Sequence, residues 1–118
     1  MNTIMQNYIS KTTTIEWKPL IEEGLDNIGI FVKQIRFDED KQRYPTIILK
    51  FEPGAKYPYH DHPAGEEIFM LKGSCWVEGT LLKEGDYLYT PPGFKHAVKT
   101  DEGFEALFII PQKVEIVK

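Results

Sequence analysis

The sequence is poor in the residues that usually brace or address a small domain. A single cysteine, Cys75, leaves no intrachain disulfide and no cysteine-rich zinc module. Basic residues are too few: 14 against 18 acidic ones give a net charge of −4, so nucleic acid is not an expected partner. Long apolar runs are missing as well. The longest, Ala106 to Ile110, falls far short of the ~20 residues of a membrane-spanning helix, so no membrane partner is expected. Met1 to Ser10 carry no basic segment followed by an apolar one, so no secretory leader is expected. With the lone thiol, that makes the cytoplasm the expected location. Histidine is scarce too, with three in 118 residues.

What is present points to a single β-rich unit. Hydrophobic residues make up 42% and aromatics 13%, enough for a core and too much for a disordered chain. Nine glycines and eight prolines punctuate short apolar runs. Residues 1–14 are polar and Thr-rich and read as a loose arm or an edge strand, with one domain over 15–118. Strands are expected at Ile28 to Arg36, with Ile28, Ile30, Val32 and Gln34 on one face, and at Thr46 to Phe51. Further strands are expected at Glu66 to Leu71, Ser74 to Glu78, Gly79 to Lys83, Tyr87 to Thr90, His96 to Thr100 and Phe104 to Ile110. Asp38 to Arg43 reads as a hairpin loop and Lys72-Gly73 as a turn. The one helix candidate is Lys18 to Leu25, too short to stand on its own propensity. Short strands at this spacing indicate an all-β sandwich or barrel.

The chemistry concentrates in Gly54-Ala-Lys-Tyr-Pro-Tyr-His60-Asp-His62-Pro-Ala-Gly-Glu66. His60 and His62, two apart on an extended strand, point to the same side. The Pro63-Ala64-Gly65 turn lets Glu66 return towards them, and His96 arrives 30 residues later behind Pro91-Pro92-Gly93. Three imidazoles and a carboxylate suit one divalent first-row metal ion: Fe, Mn, Ni or Zn. A lone histidine is ordinarily a surface or satisfied core residue, and a His-x-His pair alone is weak evidence. Here all three histidines of the chain fall into one ligand set.

These motifs resemble those of the cupin superfamily. The first is Gly, five residues, His-x-His, three or four residues, Glu, six residues, Gly, matched by Gly54, His60, His62, Glu66 and Gly73. The second is Gly, five residues, Pro-x-Gly, two residues, His, three residues, Asn, matched by Gly85, Pro91, Gly93 and His96, with Thr100 in the last place. The resemblance implies a small double-stranded β-helix, or jelly-roll, barrel with His60, His62, Glu66 and His96 as metal ligands. The stretch from Trp17 to Gly24, Ile30-Phe31-Val32-Lys33, Pro53-Gly54-Ala55 and Gly65-Glu66-Glu67 is similar to the ChrR-type cupins. That group holds the sensor half of zinc-binding anti-sigma factors, small stand-alone proteins and acetylacetone-dioxygenase-like relatives. The helical sigma-binding domain is expected to be missing, since Trp17 already belongs to the cupin part.

The six-residue gap to Gly73 selects Glu66 over Glu67. Glu67 is then expected on the opposite face, paired with a Lys or Arg or capping a turn, and Asp61 is expected as a solvated loop charge. Ile68 and Met70 share the Glu66 face and are expected to line the cavity. Most of Tyr57, Tyr59, Phe69, Trp76, Tyr87, Tyr89, Phe94, Phe104 and Phe108 are expected in the core, and Cys75 too. Two functions fit: a metal-dependent enzyme of dioxygenase type acting on a small molecule, or a non-catalytic zinc-binding sensor or ligand-binding module. No separate acid/base pair is evident. A homodimer is expected, with Thr12 to Trp17 contributing to it.

Overall fold

The computed structural model describes residues 4–36 and 44–117. The hairpin loop expected at Asp38 to Arg43 lies outside the described residues. Ten strands are formed: β1 (Lys18–Pro19), β2 (Ile30–Arg36), β3 (Thr46–Phe51), β4 (Lys56–Asp61), β5 (Glu66–Val77), β6 (Thr80–Lys83), β7 (Tyr87–Thr90), β8 (Lys95–Lys99), β9 (Phe104–Ile109) and β10 (Glu115–Ile116). All described pairings are antiparallel. The order runs β1-β2-β3-β9-β5-β8-β4-β10, with β6 and β7 also on β5.

The twelve-residue β5 is the hinge of this curled sheet. Its first half pairs with β7 and β9, and its second half with β6 and β8. The turn expected at Lys72-Gly73 is not one: the chain runs through as strand, and a register shift between Met70 and Lys72 bends it. Gly73 makes the bend possible. Its φ is +76°, and a Cβ there would collide with the Gly103 carbonyl.

The concave face holds the core. Ile30, Ile47, Leu49 and Phe51 from β2 and β3 meet Ile68, Met70, Val98, Phe104 and Phe108, with Phe51 stacked on Phe104 at 4.5 Å between ring centroids. Cys75 is buried as expected, its Sγ 3.8 Å from the Met70 sulfur, and burial pushes its thiol up to about 12.

Other expectations need correction. Lys18 to Leu25 is not helical: Lys18 and Pro19 pair with β2, and a turn closes Leu25 N–H on the Glu22 carbonyl. So short a segment gains more from pairing with an existing strand than from nucleating a helix. Ile28 precedes β2 and is 75% exposed. Residues 5–8 and 12–14 form single 3₁₀ turns rather than a strand. Lys33 Nζ donates to the Thr12 carbonyl and, with Lys50, lies over the Trp17 ring, which lays this arm along its own sheet. Most of nine aromatics are expected in the core, but five of them, Tyr59, Phe69, Tyr87, Tyr89 and Phe94, are 42–64% exposed. They occupy outward positions of the strands and loops that carry the motifs. No described helix is long and apolar enough to cross a membrane.

Candidate metal centre

His60 sits on β4 directly opposite His96 on β8, Glu66 opens β5, and His62 lies one residue beyond β4. The four donor atoms all lie within 4.8 Å of one another. All four residues are buried, His62 completely. Glu66 Oε1 stands 3.2 Å from His62 Nε2 and 3.4 Å from His96 Nε2.

The loops around the cluster orient it. The His62 carbonyl accepts N–H bonds from both Gly65 and Gly93, so the two glycine turns close on one residue. A Cβ at Gly65, whose φ is +82°, would press on the Thr90 carbonyl, so only glycine delivers Glu66 so tightly. His62 Nδ1 lies 3.1 Å from the Phe94 carbonyl and His60 Nδ1 2.7 Å from the Pro58 carbonyl. A carbonyl only accepts, so each Nδ1 carries the proton and each Nε2 presents a lone pair to the centre.

That polarity is the test of fit. His62 Nε2, His96 Nε2 and Glu66 Oε1 are buried with no hydrogen-bond partner. Buried polar atoms are rarely left unmet, because each costs on the order of 1–3 kcal/mol. With their Nδ1 protons on backbone carbonyls, neutral His60 and His62 have only lone pairs to offer the centre, and one cation satisfies these together with His96 and the Glu66 carboxylate. The donor set therefore fits a divalent metal ion.

Burial, helped by the neighbouring imidazoles and opposed by the Pro58 carbonyl and Glu66, lowers the His60 pKa to about 4. Burial also lowers His62, but the Glu66 carboxylate beside it outweighs this and leaves it raised. Burial would raise Glu66, and its contacts with His62 and His96 hold it down instead.

Glu67 faces away from the cluster, but its partner is the Tyr87 hydroxyl, donating at 2.7 Å, rather than a Lys or Arg. Asp61 is outside the cluster yet half-buried beside Lys95, with Oδ1 buried and unpartnered, so it is not a solvated loop charge. Thr100, at the position where the motif has Asn, ties the loop after β8 to β5: its hydroxyl donates to the Ser74 carbonyl and accepts from Gly103 N–H.

A cavity of about 40 Å³ opens onto the cluster, lined by His60 and Glu66 and by apolar side chains including Leu49, Phe51, Val98 and Phe108. By that measure it holds a few waters or a correspondingly small ligand. Ile68 and Met70 are buried but lie behind these walls, not along them. The sequence reading missed the polar group at the other end. Glu22 also lines the cavity, and it accepts hydrogen bonds from the Tyr57 hydroxyl at 2.8 and 3.0 Å and from Asn27 Nδ2 at 2.8 Å.

The profile of the ChrR cupin-like domain matches residues 5–115. The chain belongs to this family. Dimethylsulfoniopropionate lyase DddQ of Ruegeria pomeroyi is 40% identical over 70 residues, which is 54% of this chain and 35% of that protein. DNA damage-repair/toleration protein DRT102 of Arabidopsis thaliana is 39% identical over 66 residues, 51% of this chain and 21% of that protein. The chain thus spans only a fifth to about a third of these relatives. A putative acetylacetone dioxygenase from Methylibium petroleiphilum superposes with a TM-score of 0.84 at 18% identity, covering 100% of this chain and 85% of the other. That likeness establishes the cupin fold.

Proposed function

We propose that this cupin is a metal-dependent enzyme of dioxygenase type that acts on a small carbonyl compound. The observation that carries this is the unpartnered, buried set of Nε2 and Oε1 atoms beside an apolar cavity that reaches only one side of the cluster. His60, His62, His96 and Glu66 would hold the ion. A bound divalent metal supplies Lewis acidity and, as iron, electrons for dioxygen.

The chain's own contributions are distinct. The carbonyls of Pro58 and Phe94 hold two imidazoles in the tautomer that ligation needs. The apolar walls lower the dielectric beside the cluster, which strengthens the electrostatic contacts there. Glu66 is the carboxylate nearest the reacting end and suits proton acceptance during enolisation. Oxygen uptake by iron-loaded protein, screened with β-diketones and related small carbonyl compounds, tests the proposal. Uptake with at least one of them is expected, and none with any would overturn it. Membership of the ChrR-like family favours the alternative of a zinc-binding sensor without turnover. Protein purified without added metal that carries closed, four-coordinate zinc would support that alternative.

We also propose a homodimer. Phe69, directly opposite Tyr87, joins Leu71 and Tyr89 in an outward apolar strip with 41–56% exposure. Ile4, Met5, Tyr8 and Ile9 of the arm are 52–69% exposed and supply a matching apolar surface on a second copy. Light scattering at micromolar concentration should give twice the chain mass; the monomer mass would remove this assignment.

A further inference from the structure

Among the described residues, Glu22 and Glu66 are the two carboxylates that line the inner cavity. Leu20, Glu22, Tyr44 and Ile47 line this cavity and also an outer groove, so they form the boundary, or neck, between the two. Glu22 is held there from both sides. Tyr57 donates to both of its oxygens and Asn27 to Oε1, with Asn27 itself in the left-handed region at φ +48°. Tyr57 reaches this point because β4 is irregular. A register shift between Tyr57 and His60 puts both side chains on the inner face, where strict alternation would separate them.

The charge inventory of the passage is one-sided. No lysine or arginine lines the inner cavity among the described residues. Glu16, Glu22 and Glu23 outnumber Lys18 and Lys113 around the outer groove. The Tyr57 hydroxyl is spent on Glu22, so it offers no donor to an anion. An anionic ligand in the cavity would therefore share it with the Glu22 carboxylate in apolar surroundings, where a charge is poorly screened.

We propose that Glu22 is the specificity-determining residue of the cavity. Pinned at the neck by Tyr57 and Asn27, its carboxylate turns away small carboxylates and admits small neutral molecules or cations. The proposal rests on the metal-centre reading above and names the ligand class it takes.

Cobalt(II)-loaded full-length protein at pH 8 provides the test, read from its visible absorption spectrum during titration with acetate and with imidazole. The two are of similar size, and only acetate is charged. Glu22→Gln should tighten acetate about tenfold and leave imidazole within about twofold. Glu22→Ala provides a second charge-free variant in case Gln disturbs folding, and far-UV circular dichroism checks both. Tyr57→Phe keeps the charge, so acetate should stay weak; Glu102→Gln, exposed and outside both the cavity and the groove, should change neither ligand. Acetate affinity unchanged in the charge-free variants, or acetate and imidazole shifting in parallel, would overturn the assignment. Protein that binds no cobalt would remove the metal centre and this proposal together, whereas bound cobalt with unchanged acetate affinity would remove the proposal alone.

Discussion

The two ends of the cavity are built by different means. At the inner end, His60, His62, Glu66 and His96 come from strands and turns whose spacing is written in short motifs. At the neck, Glu22 meets Tyr57 across 35 residues of chain, through a turn and a strand irregularity. The inner end is a rigid donor set whose parts are fixed by backbone carbonyls and glycine turns. The neck is two side-chain donors on one carboxylate. Affinity for the ion should depend on the first and choice of ligand on the second.

The separation can be broken or sharpened in steps of decreasing size. His96→Ala should weaken metal binding by more than about a hundredfold, since a lost ligand costs at least as much as the 10–100-fold typical of its supporting contacts. Equilibrium dialysis against a metal buffer measures this, and a loss below about tenfold would detach His96 from the site. Gly73→Ala should lower unfolding stability by about 2–4 kcal/mol in urea, because a side chain there is strained by φ +76° and meets the Gly103 backbone. An unchanged midpoint would mean that the bend of β5 does not need glycine.

Acidification should loosen the ion. Ligation needs neutral imidazoles, so affinity is full at high pH and falls as protons compete. His62, raised above the ordinary value near 6.5, protonates before His60, which adds its loss only near pH 4. Metal affinity should fall by roughly tenfold per pH unit once His62 titrates. A flat profile from pH 8 to 5 would contradict the assigned ligands. Tyr57→Phe, the smallest change, should cost about 1–2 kcal/mol of stability and leave metal affinity within about threefold. A large loss of metal binding there would show that the two ends are not separable.

The sequence carried the inner end well because cupin spacing encodes local backbone geometry. His-x-His needs one strand face, and Gly65 and Gly93 need left-handed turns that few other residues take. Glu22 was invisible because its role depends on where β4 breaks alternation. Tyr57 would share the face opposite His60 and His62 if the strand were regular. Lys18 to Leu25, which holds Glu22, reads as a short helix candidate, and nothing in that stretch marks a carboxylate that meets Tyr57. Gly73 misled for a related reason, since a left-handed glycine marks a bend inside a strand as readily as a turn between two. The exposed aromatics misled because alternation places large side chains on both faces, and composition alone does not say which face is covered.

The central claim is that the buried quartet is a metal site. Elemental analysis of the full chain, purified without added metal, then incubated with a divalent first-row ion and freed of excess by gel filtration, tests it most directly when run beside the Glu66→Ala and His62→Ala variants. One ion retained per wild-type chain, and almost none in either variant, is the expected result; a wild-type chain that retains no more metal than the variants would contradict the account.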